Sequence, residues 1–175
     1  FMKLLIEQNE DGGKRRNAGT LETAIPAERD RQVEARLTAP EIAARLDAGR
    51  IRRFVESEAF DRICAADEVL RELDFITALP AAEVLAAQGT PPAGDAEVAQ
   101  AKVLVQGIAD LVLVFPDHLE LLDYKTDRRK SEADFRTAYR AQLELYALAI
   151  GKRFAPKPVT YRAVYSLELG KLIEM

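Results

Sequence analysis

In the second half of the chain, two neighbouring runs alternate between apolar and other side chains with the two-residue period of β-strands. They cover residues 102–115 and 118–126, and a short turn separates them. This connection predicts an antiparallel hairpin centred near Asp117. With that centre, Asp110 would lie almost opposite Tyr124.

A helical period follows the hairpin. Over residues 135–150, apolar and aromatic side chains recur every three or four positions, which predicts a helix with one face against the sheet. Ser131 precedes it as a capping residue, and Gly151 is predicted to end it. Gln142 and Tyr146 are one turn apart, so both are expected to point toward the sheet end that carries Asp123 and Lys125.

The remaining sequence divides into simpler segments. Residues 9–26 lack periodicity and carry turn-forming residues, which predicts a loop. Two helical stretches are predicted next, over residues 27–50 and 51–66, with Gly49 as the break between them. The other predicted segments are a first strand over 69–79, a surface excursion over 80–99 and a last strand over 159–166.

This order of elements predicts an α/β fold, in which a mixed β-sheet is flanked by helices and preceded by an N-terminal helical segment. Residues 1–66 would form the mainly helical lead-in and residues 67–175 the α/β core of a single domain. A chain of 175 residues with 48% hydrophobic content can bury such a core. No apolar run is long enough to span a membrane. The single cysteine, Cys64, excludes an intramolecular disulfide and is expected in the core.

Three charged residues in the apolar runs can come together: Asp110 in the first, and Asp123 and Lys125 in the second. A charge in such a run is costly unless it is paired or binds something. Asp123 and Lys125 share one face, roughly 7 Å apart along the strand, and the hairpin would bring Asp110 beside them. Two carboxylates and an ammonium at one point favour a divalent-metal site that hydrolyses phosphodiesters. The alternative is a pair of strand-end salt bridges.

The order of the motifs resembles the nuclease domain of RecB-type helicase–nucleases, which belongs to the PD-(D/E)XK superfamily. The similarity is greatest to the C-terminal domain of the AddA subunit of bacterial AddAB complexes. It rests on Gly-Ile-Ala-Asp110, Leu-Leu-Asp123-Tyr-Lys125-Thr-Asp127 and Tyr139-Arg-Ala-Gln142-Leu-Glu-Leu-Tyr146-Ala. The resemblance implies a restriction-endonuclease-like fold and a chain that is a fragment of a larger protein.

The resemblance also implies a role for each matching residue. Asp110 and Asp123 would hold Mg²⁺, which Mn²⁺ can replace, together with the backbone carbonyl of Tyr124. Lys125 would be the catalytic lysine. Gln142 and Tyr146 match the helix motif beside the active site. The alternative for these two is a half-buried helix face whose polar groups bond to the backbone.

A net charge of −4 is unusual for a nucleic-acid enzyme, since phosphate binding favours basic surfaces. The segment from Lys125 to Arg140 is nevertheless locally basic. Arg128 and Arg140 within it are expected to bind substrate, and the alternative is a solvated loop and helix face. Tethering to a helicase would also reduce the DNA affinity that the domain itself needs.

Two residues fit the family pattern less simply. Family members carry an upstream histidine, in a Gly-Thr-x-x-His pattern, that helps to complete the metal site. The only histidine here is His118, in the hairpin turn. The opening residues 1–5 resemble the stretch just after the family histidine, so we expect that truncation removed it. Glu72 on the first strand is expected to pair with a core arginine, and an accessory ligand is the alternative.

The expected function is therefore a metal-dependent exonuclease module that hydrolyses single-stranded DNA ends in double-strand-break repair and recombination. Its expected partners are that DNA, the ATP-binding helicase domains of the same parent chain and an AddB-type partner. No iron–sulfur cluster is expected, and the expected location is the bacterial cytoplasm, with the nucleoid. Two alternatives remain: a non-catalytic docking domain that keeps the nuclease fold, and a different metal hydrolase or phosphate-binding enzyme.

Overall fold

The computed structural model describes residues 6–8, 14–16, 21–90 and 96–175, without the side chains of 6–8, 14–16, 22, 96 and 100. The chain divides into two compact units, Phe1–Ala65 and Ala66–Met175. This boundary lies beside the predicted division between the helical lead-in and the α/β core. That the two form a single domain stays a prediction.

The first unit is mainly helical. Strands β1 (Ile6–Gln8) and β2 (Lys14–Arg16) pair antiparallel. The helices are α1 (Leu21–Glu34), α2 (Pro40–Ala43), α3 (Ala48–Val55) and α4 (Glu58–Ala65). Its core cluster consists of Leu21, Ile25, Val55, Phe60 and Cys64. The prediction that Cys64 is a core residue is confirmed.

Four element predictions in this unit are wrong, since the predicted helical stretch over 27–50 is divided among α1, α2 and α3. The predicted loop over 9–26 contains β2, and α1 begins at Leu21 because Leu21 and Ile25, one turn apart, are both buried. Its residues 9–13 and 17–20, like the opening residues 1–5, lie outside the described residues. Gly49 is inside α3, because the Asp47 carboxylate accepts a hydrogen bond from Arg50 N at 3.1 Å and starts the helix earlier.

The predicted helix over 51–66 is interrupted between α3 and α4. The hydroxyl of Ser57 donates a hydrogen bond of 2.6 Å to the carbonyl of Phe54, and it thereby satisfies one of the last carbonyls of α3. A new helix then begins at Glu58. The rings of Phe54 and Phe60 meet edge to face across this break, with centroids 5.7 Å apart.

The second unit contains a mixed sheet, as predicted, but with five strands in place of the four predicted. Its strands in spatial order are β3 (Glu68–Pro80), β4 (Lys102–Val114), β5 (Leu119–Lys125), β6 (Val159–Ser166) and β7 (Lys171–Glu174). All neighbours are antiparallel except β5 and β6, which run parallel. Strand β7 was not predicted because its four residues are too few to show a period. The excursion contains α5 (Ala81–Ala87) and α6 (Ala96–Gln100), and its residues 91–95 lie outside the described ones.

Helix α7 (Glu132–Arg153) covers one face of this sheet. Ser131 and Asp134 form a capping box at its start, as the sequence predicted for Ser131. Gly151 does not end it, since a glycine stop takes a positive φ, and Gly151 is not among the residues that do. The helix buries these side chains against the sheet: Phe135, Leu143, Ala147, Ala149 and Ile150. Within the described segments, no helix combines the length and apolarity needed to cross a bilayer.

Candidate active site

The sheet opens at the point where β4 and β5 stop pairing. Their last pair is Leu111 with Leu122. Beyond it, the Asp110 side chain takes the place of a backbone acceptor, because its Oδ2 accepts the N–H of Tyr124 at 2.8 Å. The N–H and C=O of one strand residue point to the same side. The Tyr124 carbonyl therefore also points toward Asp110.

The hairpin was predicted correctly, but its register is one residue different. Phe115 N donates a hydrogen bond of 3.0 Å to the carbonyl of His118, which closes the turn just before Asp117 and not around it. Continued past the last pair, this register sets Asp110 opposite Asp123 in place of Tyr124.

Strand β4 loses its regular alternation near Asp110. A Cβ atom on Gly107 would lie 2.7 Å from the hydroxyl of Tyr146 on α7, so this position faces the helix. Val112 belongs to the same helix-side core cluster. In a regular strand, positions an odd number of residues apart point to opposite faces. The strand is therefore irregular between the two, as is common beside active sites.

Strand β3 is distorted at the same level. Glu72 lies between the regular pairs Arg71–Leu111 and Leu73–Ala109, which places it opposite Asp110. Its φ of 48° is left-handed, a conformation that costs a non-glycine residue about 1 kcal/mol or more. Its side chain is exposed and makes no ion pair with the described residues. The predicted pairing with a core arginine is therefore wrong, and the accessory-ligand alternative stays open.

Asp123 and Lys125 form a close ion pair at the end of β5. The Lys125 ammonium lies 2.7 Å from Asp123 Oδ2, and the Lys125 and Asp123 side chains are 19% and 5% exposed. This oxygen is buried, and the Lys125 ammonium is its partner among the described residues. Burial raises the pKa of Asp123, the hydrogen bond and the charge of Lys125 oppose this rise, and the Asp110 charge adds to it.

These groups fit part of a Mg²⁺ site. Mg²⁺ prefers oxygen ligands and commonly keeps several waters beside one or two protein carboxylates. Asp123 supplies a buried anionic oxygen whose partner is the Lys125 ammonium. Asp110 Oδ1 makes no hydrogen bond with the described residues. The described residues contain no cluster of three or more acidic, histidine or cysteine side chains. The set therefore fits as two carboxylates and one carbonyl, with further positions left to water or phosphate.

His118 does not complete this set. It lies in the turn before β5, roughly 16 Å along the strand from Asp123. Its Nδ1 is 2.7 Å from Asp117 Oδ1, and its ring stacks on Phe115 with centroids 4.5 Å apart. His118 is therefore a residue of the turn, as its place in the sequence indicated.

Tyr139 was not assigned a site role from the sequence, yet it contacts the predicted catalytic lysine. The Lys125 ammonium lies 4.6 Å from the centre of the Tyr139 ring, and the Lys130 ammonium lies 4.9 Å from it. The Tyr139 hydroxyl donates a 2.7 Å hydrogen bond to Asp127 Oδ2. Its position on the same helical face as Gln142 and Tyr146 was the available signal.

Asp127 and Lys130 complete this neighbouring cluster. Their side chains form an ion pair of 2.6 Å at the mouth of the loop before α7. The hydrogen bond from Lys130, and then the one from Tyr139, hold the pKa of Asp127 below its usual value. The same contact raises the pKa of Lys130.

Gln142 and Tyr146 lie further along α7. The Tyr146 ring meets Phe75 of β3 edge to face, with centroids 4.8 Å apart, and its hydroxyl packs on Gly107. Tyr146 therefore lies beside β4 just before Asp110. The sequence had predicted a position near Asp123 and Lys125. Gln142 is half-buried and its amide makes no hydrogen bond with the described residues.

Arg128 and Arg140 are both exposed and lie on different surfaces. Arg128 is in the loop that follows β5, close in sequence to Lys125. Arg140 is two positions from Gln142 on α7, which turns it roughly 200° away around the helix axis. It lines a groove with the end of α5, including Ala86 and Gly89. Arg128 is therefore close to Lys125 along the chain, whereas Arg140 lies on a different side of α7 from Gln142.

Comparisons with known proteins agree with these motifs. The family model described as the PD-(D/E)XK nuclease superfamily matches residues 4–171. An ATP-dependent helicase/nuclease subunit of Ligilactobacillus salivarius is 34% identical over 142 residues, which are 81% of this chain and 11% of that protein. Its counterpart in Heliobacterium modesticaldum is 34% identical over 162 residues, 88% of this chain and 11% of that protein. The chain thus spans about 11% of these curated relatives. The resemblance inferred from the motifs is confirmed.

Proposed function

Because the chain belongs to the PD-(D/E)XK nuclease superfamily, we propose that it hydrolyses DNA phosphodiester bonds with Asp110, Asp123 and Lys125. The observation that carries this proposal is the buried Asp123–Lys125 pair beside Asp110, where the sheet opens. A carboxylate whose pKa is raised by burial, next to a second carboxylate, is an unfavourable arrangement until a cation binds.

Each group has a separate task in this proposal. Asp110, Asp123 and the Tyr124 carbonyl would hold Mg²⁺, or Mn²⁺ in its place. The bound ion would polarise the phosphate and lower the pKa of a water molecule. Lys125 orients the nucleophile or stabilises the negative charge that develops on the phosphate. Water attacks directly, so no covalent enzyme intermediate is required. The low exposure of Asp123 keeps bulk water from weakening these interactions.

The substrate and its context form part of the same proposal. We assign single-stranded DNA ends as the substrate and exonucleolytic cutting in double-strand-break repair as the role. The names of the relatives, which describe a helicase/nuclease subunit, support a nuclease that works with a helicase. Arg128, Gln142 and Tyr146 would contact the strand, and Arg140 would bind it only along the α5 groove. The helicase domains would belong to the same parent chain, with an AddB-type partner, in the bacterial cytoplasm near the nucleoid.

A second function is favoured by one observation. The described residues contain no group of three or more acidic, histidine or cysteine side chains that could hold a metal ion. A docking domain that keeps the nuclease fold but no longer binds metal would look similar. The intact ion pair and the open end of the sheet favour the nuclease.

The test is cleavage of end-labelled single-stranded DNA by the protein at its full natural length, with Mg²⁺, Mn²⁺ or a chelator. We expect metal-dependent cutting that Lys125→Ala and Asp123→Asn abolish. Asp74→Asn, which removes an exposed carboxylate from β3 of the same sheet, is the control and should cut normally. Unchanged cutting by the Asp123→Asn variant would overturn the proposed site. Absence of cutting by the wild-type protein would leave the docking function in its place.

A further inference from the structure

We propose that Tyr139 is a positioning residue, whose ring holds the Lys125 ammonium where the reaction needs it. This inference rests on the proposed nuclease function of the Asp110, Asp123 and Lys125 site. It assigns a task to a residue of α7 that lies outside that set.

Lys125 is held from two directions. Asp123 Oδ2 lies 2.7 Å from its ammonium, and the centre of the Tyr139 ring lies 4.6 Å from the same nitrogen. A lysine side chain has four flexible carbons and loses its place easily. An ammonium within about 6 Å of a ring centre is attracted to the ring face. The ring therefore keeps Lys125 in place even when a cation competes with it for Asp123.

Tyr139 itself is fixed on its other sides. Its hydroxyl donates to Asp127 Oδ2 at 2.7 Å, and its ring packs against Phe135 with centroids 5.9 Å apart. Lys130 contributes a second ammonium 4.9 Å from the ring centre. Because Phe135 is fully buried in the core, the ring is attached to the rigid part of the unit. Asp127 thus helps to fix the ring that contacts Lys125.

Two substitutions separate the ring from the hydroxyl. Tyr139→Phe keeps the ring face and loses the hydrogen bond to Asp127. Tyr139→Leu keeps an apolar side chain in the core and loses the ring. The matched control is Tyr161→Leu on β6, which lies beside Glu120 at the opposite end of β5 from Lys125.

The kinetic test uses the protein at its full natural length on single-stranded DNA. We expect Tyr139→Leu to lower kcat roughly 5- to 30-fold with little change in KM. Tyr139→Phe should restore most of kcat, and Tyr161→Leu should match the wild-type protein. A role in folding alone would lower the free energy of unfolding of Tyr139→Leu and leave kcat per folded molecule unchanged. Equal kcat for the leucine variant and the wild-type protein would overturn the proposal.

A second readout does not depend on activity or metal. In protein labelled with ¹³C at the lysine ε-carbon, the Lys125 signal should carry an upfield ring-current shift. Lys125→Ala identifies that signal. The shift should persist in Tyr139→Phe and vanish in Tyr139→Leu. A wild-type Lys125 signal at the position of exposed lysines would overturn the contact.

The two readouts keep the proposals separable. If the wild-type protein shows the shift but leaves DNA intact, the nuclease function fails while the contact between Lys125 and Tyr139 stands. If the wild-type protein cuts DNA and Tyr139→Leu cuts equally well, the positioning role fails while the nuclease function stands.

Discussion

Two aspartate–lysine pairs lie within a few residues of each other, and their carboxyl groups behave oppositely. Asp123 with Lys125 and Asp127 with Lys130 have nearly equal separations, 2.7 Å and 2.6 Å. The pKa of Asp123 is raised and that of Asp127 is lowered. Distance to the cation therefore does not explain the difference.

The two pairs differ in burial and in hydrogen bonding. The Asp123 side chain is 5% exposed, and Lys125 is its ion-pair partner among the described residues, so the cost of burying its charge is only partly compensated. Asp127 is 27% exposed, and it accepts a hydrogen bond from the Tyr139 hydroxyl in addition to its ion pair with Lys130. A partly exposed carboxylate with two partners stabilises a loop, whereas a buried one with a single cation partner can bind a further cation. The proposed site lies at the buried pair.

The largest expected contrast is between Asp123→Asn and Asp127→Asn in DNA cleavage. Asp123→Asn should leave no detectable metal-dependent cutting, because it removes a proposed metal ligand. Asp127→Asn should cut DNA at a rate within about tenfold of the wild-type rate, a loss comparable to that from changing a residue that supports a metal site without binding the metal. Rates on single-stranded DNA at saturating Mg²⁺ measure both. Equal losses for the two variants would remove the functional distinction between the pairs.

Lys125→Ala should lower kcat roughly 10²- to 10³-fold, comparable to the loss of one charge-stabilising donor.

Lys125→Ala should also lower the free energy of unfolding by about 1–3 kcal/mol, because Asp123 then stays buried without its cation. Urea denaturation at pH 7 measures this change. In the double variant with Asp123→Asn, the stability loss should largely disappear. If it persists there, the loss comes from packing and not from the ion pair.

A change that touches neither pair tests how far packing alone shapes the site. Gly107→Ala would place a methyl group 2.7 Å from the Tyr146 hydroxyl and 2.9 Å from Phe75 Cζ. We expect a loss of about 1–3 kcal/mol in the free energy of unfolding from this overpacking. Gly151→Ala is the control, since its methyl group meets only Val159 at 3.8 Å within a helix, and it should stabilise by about 0.5–1 kcal/mol.

The smallest effect is the order of titration. Asp123 should lose its proton at a higher pH than Asp127, which ¹³C NMR of the carboxyl carbons would show. Because the folded pKa of Asp123 is raised, its protonated form stabilises the fold, and that stability is lost as pH rises through the folded pKa. The lowered pKa of Asp127 has the opposite sign, and its stabilisation is lost as pH falls below its usual value of 3.8. Titration in the reverse order would contradict the burial argument.

Local sequence patterns predicted most of the second unit. The strands β3 to β6 and α7 follow from the two- and four-residue periods, and the order of the motifs along the chain indicated the family. Element ends were less predictable. Gly151 is inside α7 because a glycine ends a helix only when its φ turns positive, which composition does not reveal.

The sequence predicted which residues form the candidate site but not how they are arranged. Asp110, Asp123 and Lys125 stood out because charges interrupt apolar runs. The contact of Tyr139 with Lys125 was missed, because it depends on how far along the sheet the helix begins. The distortions at Gly107 and Glu72 are also invisible to a period-based prediction, since they arise from packing between distant segments.

The most direct test of the account is Mn²⁺ binding to the protein at its full natural length, measured by electron paramagnetic resonance of the unbound ion. Asp123→Asn should remove a Mn²⁺ site that is present in the wild-type protein. Asp127→Asn should retain this site with similar affinity. Loss of Mn²⁺ binding in Asp127→Asn but not in Asp123→Asn, or a wild-type protein that binds no Mn²⁺, would contradict the assignment of the site to the buried pair of Asp123 and Lys125.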